Sequence, residues 1–114
     1  MFVKTYRYRV LADQMDKYLA VQQRASEWYG AHGDHDAIYL QSKRDPYQWM
    51  EIHLYANEAA FAASAERPAA DAEIQTLWTE FRATLDPAFT SEIEDFQQWR
   101  GFAGNGPPDA GQSS

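Results

Sequence analysis

The segment that decides the fold covers residues 48–64 and reads QWMEIHLYANEAAFAAS. Its first half alternates in character, so that Met50, Ile52 and Leu54 point one way and the residues between them point the other. This alternation predicts a β-strand. Asn57 can then accept hydrogen bonds from the free amides of a helix start, so we expect a capped, alanine-rich helix directly after the strand.

Similar signals extend outward from this segment. The predicted elements are strands over residues 2–11, 35–43, 48–56 and 91–99 and helices that begin near Asp13, Asn57 and Ala69. Pro46 lies in a short turn between the second and third strands, which predicts a hairpin. The order β-α-β-β-α-β predicts an α+β, ferredoxin-like fold with a four-stranded antiparallel sheet and helices on one face.

Length and composition limit the class of protein. The chain has 114 residues, of which 45% are hydrophobic and 15% aromatic, so one domain over residues 1–100 can bury a core. Residues 101–114 are rich in Gly, Pro and Ser and predict a flexible tail. A net charge of -7 argues against binding to nucleic acid, and no apolar run has the length of a membrane span. The N-terminus opens on strand-like sequence instead of a signal peptide, and there is no cysteine, so we expect a cytoplasmic protein.

Helices on one face of a sheet leave the other face uncovered. We expect the aliphatic side chains of the second and third strands to meet the helices, namely Ile38, Leu40, Met50, Ile52 and Leu54. The opposite face then carries Tyr39, Trp49, Glu51, His53 and Tyr55. Aromatic side chains with polar tips suit either a pocket or an interface with a second copy of the chain.

The quoted segment and the first strand, FVKTYRYRV in residues 2–10, resemble the dimeric α+β barrel superfamily, and most of all the antibiotic-biosynthesis monooxygenases. The resemblance covers residues 1–99. It implies a homodimer whose two sheets pack into a barrel, with a pocket between the sheet and the helices of each subunit. Haem-degrading relatives use an Asn in strand one and a helical His. The first strand here has no Asn and His53 lies on a strand, so the resemblance carries over no cofactor.

His53 and Glu51 are the first candidates for chemistry. They are two residues apart on one strand and therefore share a face. A histidine beside a carboxylate can act as a general base, which makes His53 the candidate proton acceptor and Glu51 a candidate binding residue. In the alternative interpretation Glu51 pairs with Arg7 or Arg9 on the neighbouring strand, and His53 packs in the dimer interface.

Arginines and aromatic residues complete the predicted site. Arg7 is a candidate catalytic residue that stabilises negative charge, and Arg9 a candidate binding residue, since guanidinium groups bind phenolates and other anions. Ion pairs with Glu51 or a partner subunit are the alternative. Tyr39, Trp49 and Tyr55 either stack on a flat aromatic substrate or anchor an interface.

Two histidines in one loop raise the question of a metal. His32, His35 and the following Asp36 have ligand-type side chains, but spacing fixes no further ligand, so we interpret the segment as a solvated loop and predict no metal site.

The sequence therefore predicts a homodimer that binds a small aromatic or polyketide-like molecule, as a cofactor-free monooxygenase. The alternative is a non-catalytic dimeric binding or stress-related protein.

Overall fold

A computed structural model of the chain describes residues 1–32 and 35–99. The predicted tail, residues 101–114, lies outside this part. The strands are β1 (Phe2–Arg9), β2 (Asp36–Gln41), β3 (Gln48–Tyr55) and β4 (Glu92–Gln97). The helices are α1 (Met15–His32), α2 (Glu58–Ser64), α3 (Glu66–Ala69) and α4 (Ala72–Ala83), and a 3-10 turn over Ala12–Gln14 leads into α1.

The four strands form one antiparallel sheet in the order β2-β3-β1-β4. This confirms the predicted α+β, ferredoxin-like fold, with β1 and β3 as central neighbours. The register places Tyr6 of β1 opposite Glu51 of β3, and Tyr39 of β2 opposite Glu51 on the other side. Directly paired residues share a face of the sheet, so these three side chains lie in one row.

Side-chain caps fix where the helices of the second half begin. The Asn57 side chain accepts a hydrogen bond from the amide of Ala60 at 2.7 Å, as predicted. The Asp71 carboxylate accepts one from the amide of Ile74 at 3.1 Å and starts α4. The first helix, by contrast, was expected to begin near Asp13, and this residue lies inside the 3-10 turn that precedes α1. The turn already closes through the amide of Gln14 and the carbonyl of Leu11.

Helices α1 and α4 bury their apolar stripes mainly in each other. Their shared core contains Val21, Ala25, Trp28, Ile74 and Leu77. A second cluster of Tyr8, Val10 and Tyr18 joins this helix pair to one end of the sheet. The helix pair therefore closes on itself and meets the sheet at that end, which leaves room between the two layers.

The prediction of which sheet face meets the helices is wrong. Tyr18 of α1 packs on Trp49 with ring centroids 5.0 Å apart, and Gln22 of α1 donates to Glu51 at 2.9 Å. The face with Tyr39, Trp49, Glu51, His53 and Tyr55 is thus the inner one. The outer apolar face carries Val3, Ile38, Leu40, Met50, Ile52, Leu54 and Phe96. The prediction assumed that the helix stripes need aliphatic partners on the sheet, whereas they find them on each other.

Within residues 1–32 and 35–99, no helix combines the length and the apolar character needed to cross a membrane.

We expect the helix pair to carry much of the stability of the fold. Leu77 is fully buried between α1 and α4, so Leu77→Ala should lower the free energy of unfolding by about 2–5 kcal/mol. The same substitution at Leu19, which is 49% exposed on α1, should cost about 0.5 kcal/mol or less. Urea denaturation measures both values. Equal effects at the two positions would contradict this account of the core.

Candidate functional site

A cavity of about 420 Å³ lies between the inner face of the sheet and the helix pair. Its volume falls within the range of about 300–1,000 Å³ that is usual for small-molecule sites. The residues that line it on the sheet side include Tyr6, Tyr8, His35, Tyr39, Glu51, His53 and Tyr55, and those on the helix side include Gln22, Tyr29, Leu77, Trp78 and Phe81. We call it the aromatic cavity. Its wall combines flat apolar rings with a few polar groups, which suits an aromatic ligand.

The carboxylate of Glu51 is the polar centre of this cavity. Its Oε2 accepts hydrogen bonds from the hydroxyl of Tyr8 at 2.5 Å and from Nε2 of Gln22 at 2.9 Å. Its Oε1 contacts Nε2 of His53 at 2.8 Å. The Tyr8 hydroxyl also contacts the hydroxyl of Tyr18 at 2.7 Å, so the network joins the sheet to α1.

Burial would raise the pKa of Glu51, because a charged carboxylate is costly away from water. The hydrogen bonds from His53, Tyr8 and Gln22, together with the charge of His53, outweigh burial and hold the pKa below its ordinary value. Glu51 is therefore ionised at neutral pH.

His53 connects Glu51 to a second histidine. Nδ1 of His53 lies 3.0 Å from Nε2 of His35, which immediately precedes β2. The ring of His35 stacks on Tyr55 at a centroid distance of 4.4 Å, and Tyr6 meets His53 edge-on at 5.1 Å. The histidine pair is thus held on several sides by aromatic rings.

Five tyrosines in or beside the cavity are neutral phenols, namely Tyr6, Tyr8, Tyr18, Tyr29 and Tyr39. Burial raises the pKa of Tyr18 and of Tyr29 to about 12 each. Burial also raises the pKa of Tyr6, Tyr8 and Tyr39, with a further contribution from the Glu51 carboxylate to each. These hydroxyls are consequently hydrogen-bond donors and not bases. Proton-accepting capacity in this cavity resides with Glu51, His53 and His35.

The predicted aromatic residues lie on this side of the sheet, in different positions. Tyr39 and Tyr55 line the aromatic cavity beside Glu51 and His53. Trp49 borders a neighbouring, more open cavity of about 710 Å³, where it packs on Tyr18.

The two arginines do not pair with Glu51. Arg9 bonds to Asp45 at 2.8 Å and to Asp86 at 2.9 Å, so it ties the β2–β3 turn to the segment after α4. The backbone of Arg7 lies beside the aromatic cavity, but its side chain shares the outer face with Met50, where the guanidinium approaches Glu92 of the edge strand at 3.6 Å. The interpretation that Glu51 pairs with an arginine is therefore wrong. The interpretation that His53 fills a sheet-to-sheet interface is wrong as well, because His53 faces the helices.

Sequence reasoning did not assign Tyr8, Gln22 and His35 to the site. The alternation of β1 places Tyr6 and Tyr8 on one face, and pairing with β3 places that face beside Glu51. The strand pairing was thus a usable signal for Tyr8. For His35 the usable signal was the alternation of the predicted strand 35–43, which puts it on the face of Tyr39. No sequence pattern pointed to Gln22, which meets the sheet only through the packing of α1.

The loop histidines do not act together. His32 stacks on Trp28 at 4.4 Å and its Nδ1 lies 2.9 Å from the carbonyl oxygen of that residue, whereas His35 joins His53. Among the described residues, no group of three or more His, Asp or Glu side chains is arranged to hold a metal ion.

The network predicts an acid-sensitive contribution to stability. A carboxylate whose pKa is lower in the folded state than in the unfolded state stabilises the fold at pH values above its unfolded-state pKa. This stabilisation is lost as the pH falls through the folded-state pKa. Glu51→Gln should cost about 1–3 kcal/mol near neutral pH because it breaks buried hydrogen bonds. The difference in the free energy of unfolding between Glu51→Gln and wild type should shrink as the pH falls below the ordinary glutamate pKa of 4.5.

Urea denaturation at a series of pH values measures this difference. Glu27→Gln is the control, since Glu27 is an exposed residue of α1 and its replacement should give a small, nearly constant difference. A difference in the free energy of unfolding between Glu51→Gln and wild type that stays constant down to acid pH would contradict the predicted pH dependence.

Comparisons with known proteins rest on structure alone, since no family profile and no curated protein sequence matches the chain. SnoaB, a cofactor-independent oxygenase from Streptomyces nogalater, is 15% identical over 90% of this chain and 97% of its own, with a TM-score of 0.69. A structure described as an antibiotic biosynthesis monooxygenase is 12% identical over 88% of this chain and 100% of its own, with a TM-score of 0.70.

A NIPSNAP domain protein from Burkholderia xenovorans is 18% identical, with coverage of 96% of this chain and 100% of that one and a TM-score of 0.71. At such identities the likeness concerns the fold. The chain therefore has the ferredoxin-like α+β fold that the antibiotic-biosynthesis monooxygenase-like proteins share.

Proposed function

We propose that this protein is a cofactor-free monooxygenase that binds a small aromatic or polyketide-like molecule in the aromatic cavity. The observation that carries the proposal is the ionised Glu51 hydrogen-bonded to His53 inside a cavity walled by aromatic rings. A buried acid–base pair in a ligand-sized cavity is a common mark of a catalytic site. A structure of the same fold that is described as a cofactor-independent oxygenase supports the proposed function.

The proposed chemistry needs little from the protein. A substrate with a methylene group that is made acidic by aromatic rings conjugated to a carbonyl group loses one proton and becomes a carbanion. The carbanion gives its electrons to O₂, so that the CH₂ group and O₂ end as a C=O group and water. The protein holds the substrate, accepts the proton and excludes bulk water.

The polar groups around the cavity have different parts in this chemistry. His53 accepts the proton, and Glu51 stabilises the imidazolium that forms. The phenols of Tyr6 and Tyr39 remain protonated and can donate hydrogen bonds to a developing enolate oxygen. Strand pairing places the Arg7 side chain beside Met50 on the outer face, where it approaches Glu92, so Arg7 has no part in this chemistry. Arg9 has a structural part in its two ion pairs.

Anthrone is a suitable probe, because it carries such a methylene and its oxidation to anthraquinone follows the same atom balance. We expect the protein to accelerate oxygen uptake by anthrone above the buffer rate. His53→Ala should lower the enzymatic rate about 100-fold or more, the usual contribution of a general base. Tyr47→Phe, at a position outside the aromatic cavity, is the control and should keep the wild-type rate.

Undiminished turnover by His53→Ala would remove the histidine from the mechanism. No acceleration by wild type, for anthrone and for naphthol and anthrone derivatives with added hydroxyl groups, would instead favour the second candidate function.

That second candidate is a non-catalytic binding protein. It is favoured by the observation that both oxygens of Glu51 and both ring nitrogens of His53 already have partners within the protein. A tightly bound small molecule, released unchanged in native mass spectrometry of the purified protein, would support this function if no turnover is found.

We further propose that the protein is a homodimer that closes the outer apolar face of the sheet. Ile38, Leu40 and Phe96 on this face are 46%, 43% and 43% exposed. Apolar side chains grouped on one sheet face are typical of an association surface. The two-fold packing of such faces buries the same residues in both copies.

Leu40→Glu places a charge on this face and should weaken the dimer. We expect sedimentation of wild type at twice the chain mass of 13.1 kDa and a shift of the variant toward one chain mass. Leu19→Glu is the matched control, since Leu19 is comparably exposed on α1 and its replacement should leave the dimer intact. A wild-type protein that sediments as one chain at micromolar concentration would overturn the proposed dimer.

A further inference from the structure

A second cavity, of about 330 Å³, lies beside the aromatic cavity on the side of α2 and α3. We call it the Arg67 chamber, after the one arginine that lines it. Its volume is at the lower end of the range for small-molecule sites, which suits a ligand of one or two rings. The aromatic side chains of its wall are Tyr6, Trp28, Tyr29, Tyr55, Phe61 and Trp78.

The Arg67 chamber and the aromatic cavity are separate spaces with a common wall. Tyr6, Tyr29 and Trp78 line both of them. Trp28 and Arg67 line the chamber and neither the aromatic cavity nor the open cavity of about 710 Å³. A ligand in the chamber therefore contacts residues that a substrate in the aromatic cavity does not reach.

Charge distinguishes the two spaces. The chain is acidic overall, with 17 Asp and Glu against 10 Lys and Arg, and the aromatic cavity contains the ionised Glu51. Among the described residues that line the chamber, none is an Asp or a Glu, and Arg67 supplies a positive charge. An anionic group is therefore repelled in the aromatic cavity and attracted in the chamber.

Arg67 is tethered beside the chamber through α1. This exposed residue of α3 donates from Nη1 to the carbonyl oxygen of His32, at the end of α1, over 3.2 Å. None of the ion pairs within residues 1–32 and 35–99 includes Arg67. The carboxylate of Asp71, which also interacts with His32, is engaged by the amide of Ile74. The other N–H groups of the Arg67 guanidinium can therefore bind a carboxylate, whose two oxygens match its geometry.

Aromatic rings form the interior of the chamber. Trp28 is buried, and Tyr29 meets it edge-on at a centroid distance of 5.1 Å. Phe61 of α2 packs on Tyr55 of β3, also at 5.1 Å. Because Arg67 is exposed, the chamber combines an aromatic interior with a cationic rim. A flat ring that carries a carboxylate matches both parts.

We propose that the Arg67 chamber is a second binding site, which takes an aromatic carboxylate of one or two rings with its carboxylate at Arg67. The site does not depend on the proposed oxygenase reaction, since neither Glu51 nor His53 lines it. 2-Naphthoate is the probe for this site. The matched neutral probe is 2-naphthamide, which has the same ring system and nearly the same shape without the charge.

The tryptophans allow the probe to be located by nitrogen-15 NMR of the indole N–H groups. The chain has four tryptophans, of which Trp28 lines the chamber alone and Trp49 borders only the open cavity. Trp99 lines none of the three cavities and is the internal control. We expect 2-naphthoate to shift the signal of Trp28 and not that of Trp99. An unchanged Trp28 signal at millimolar 2-naphthoate would overturn the proposal.

The part of Arg67 is tested by Arg67→Gln, which keeps an N–H donor for the carbonyl of His32 and removes the charge. We expect this variant to bind 2-naphthoate about 10-fold more weakly, as for the loss of one charge-assisted hydrogen bond, and 2-naphthamide as wild type does. Arg44→Gln is the matched control, since Arg44 is also exposed and lines none of the three cavities. Equal effects of Arg67→Gln on the two probes would overturn the role of Arg67.

The second site and the oxygenase function fail in different ways. A protein that oxidises anthrone and shows no shift of Trp28 with 2-naphthoate contradicts the second site alone. A protein that binds 2-naphthoate at Trp28 and does not oxidise anthrone or its derivatives contradicts the oxygenase function alone.

Discussion

The ionised carboxylate of Glu51 is the constraint around which the inner side of this protein is arranged. A charge between a sheet and a helix pair is tolerated only if hydrogen-bond donors surround it. Here β1 supplies Tyr8, α1 supplies Gln22 and β3 itself supplies His53. One carboxylate therefore fixes the relative position of three elements.

The layers explain why such a group can exist at all. Because α1 and α4 satisfy each other's apolar stripes, the inner sheet face is free to carry tyrosines, a carboxylate and histidines instead of aliphatic residues. The aliphatic residues of the sheet lie on the outer apolar face. The inner face of the sheet thus carries polar and aromatic side chains and the outer face aliphatic ones, which partly reverses the usual placement of apolar residues inside a protein.

Much of the fold could be predicted from the sequence because it depends on local patterns. The alternation of residues 48–55 and the cap at Asn57 are properties of neighbouring residues, and both are found in the structure. The strand faces were also grouped correctly, since alternation fixes which residues share a face. Which face meets the helices depends on how α1 packs against α4, and no local pattern encodes that choice. For the same reason the partners of Arg7 and Arg9 were predicted wrongly. The contributions of Gln22 and His35 to the site were missed.

The separation of the helix-pair core from the sheet-side wall of the cavity also bears on how this scaffold tolerates change. Residues that secure the fold, such as Ile74 and Leu77, are largely different from those that face the cavity from the sheet, such as Tyr6 and Tyr39. Substitutions that reshape the ligand space from the sheet side therefore draw little on the main source of folding energy. New specificities can accumulate with less of the usual conflict between activity and stability, which makes the architecture well suited to evolutionary diversification and to engineering.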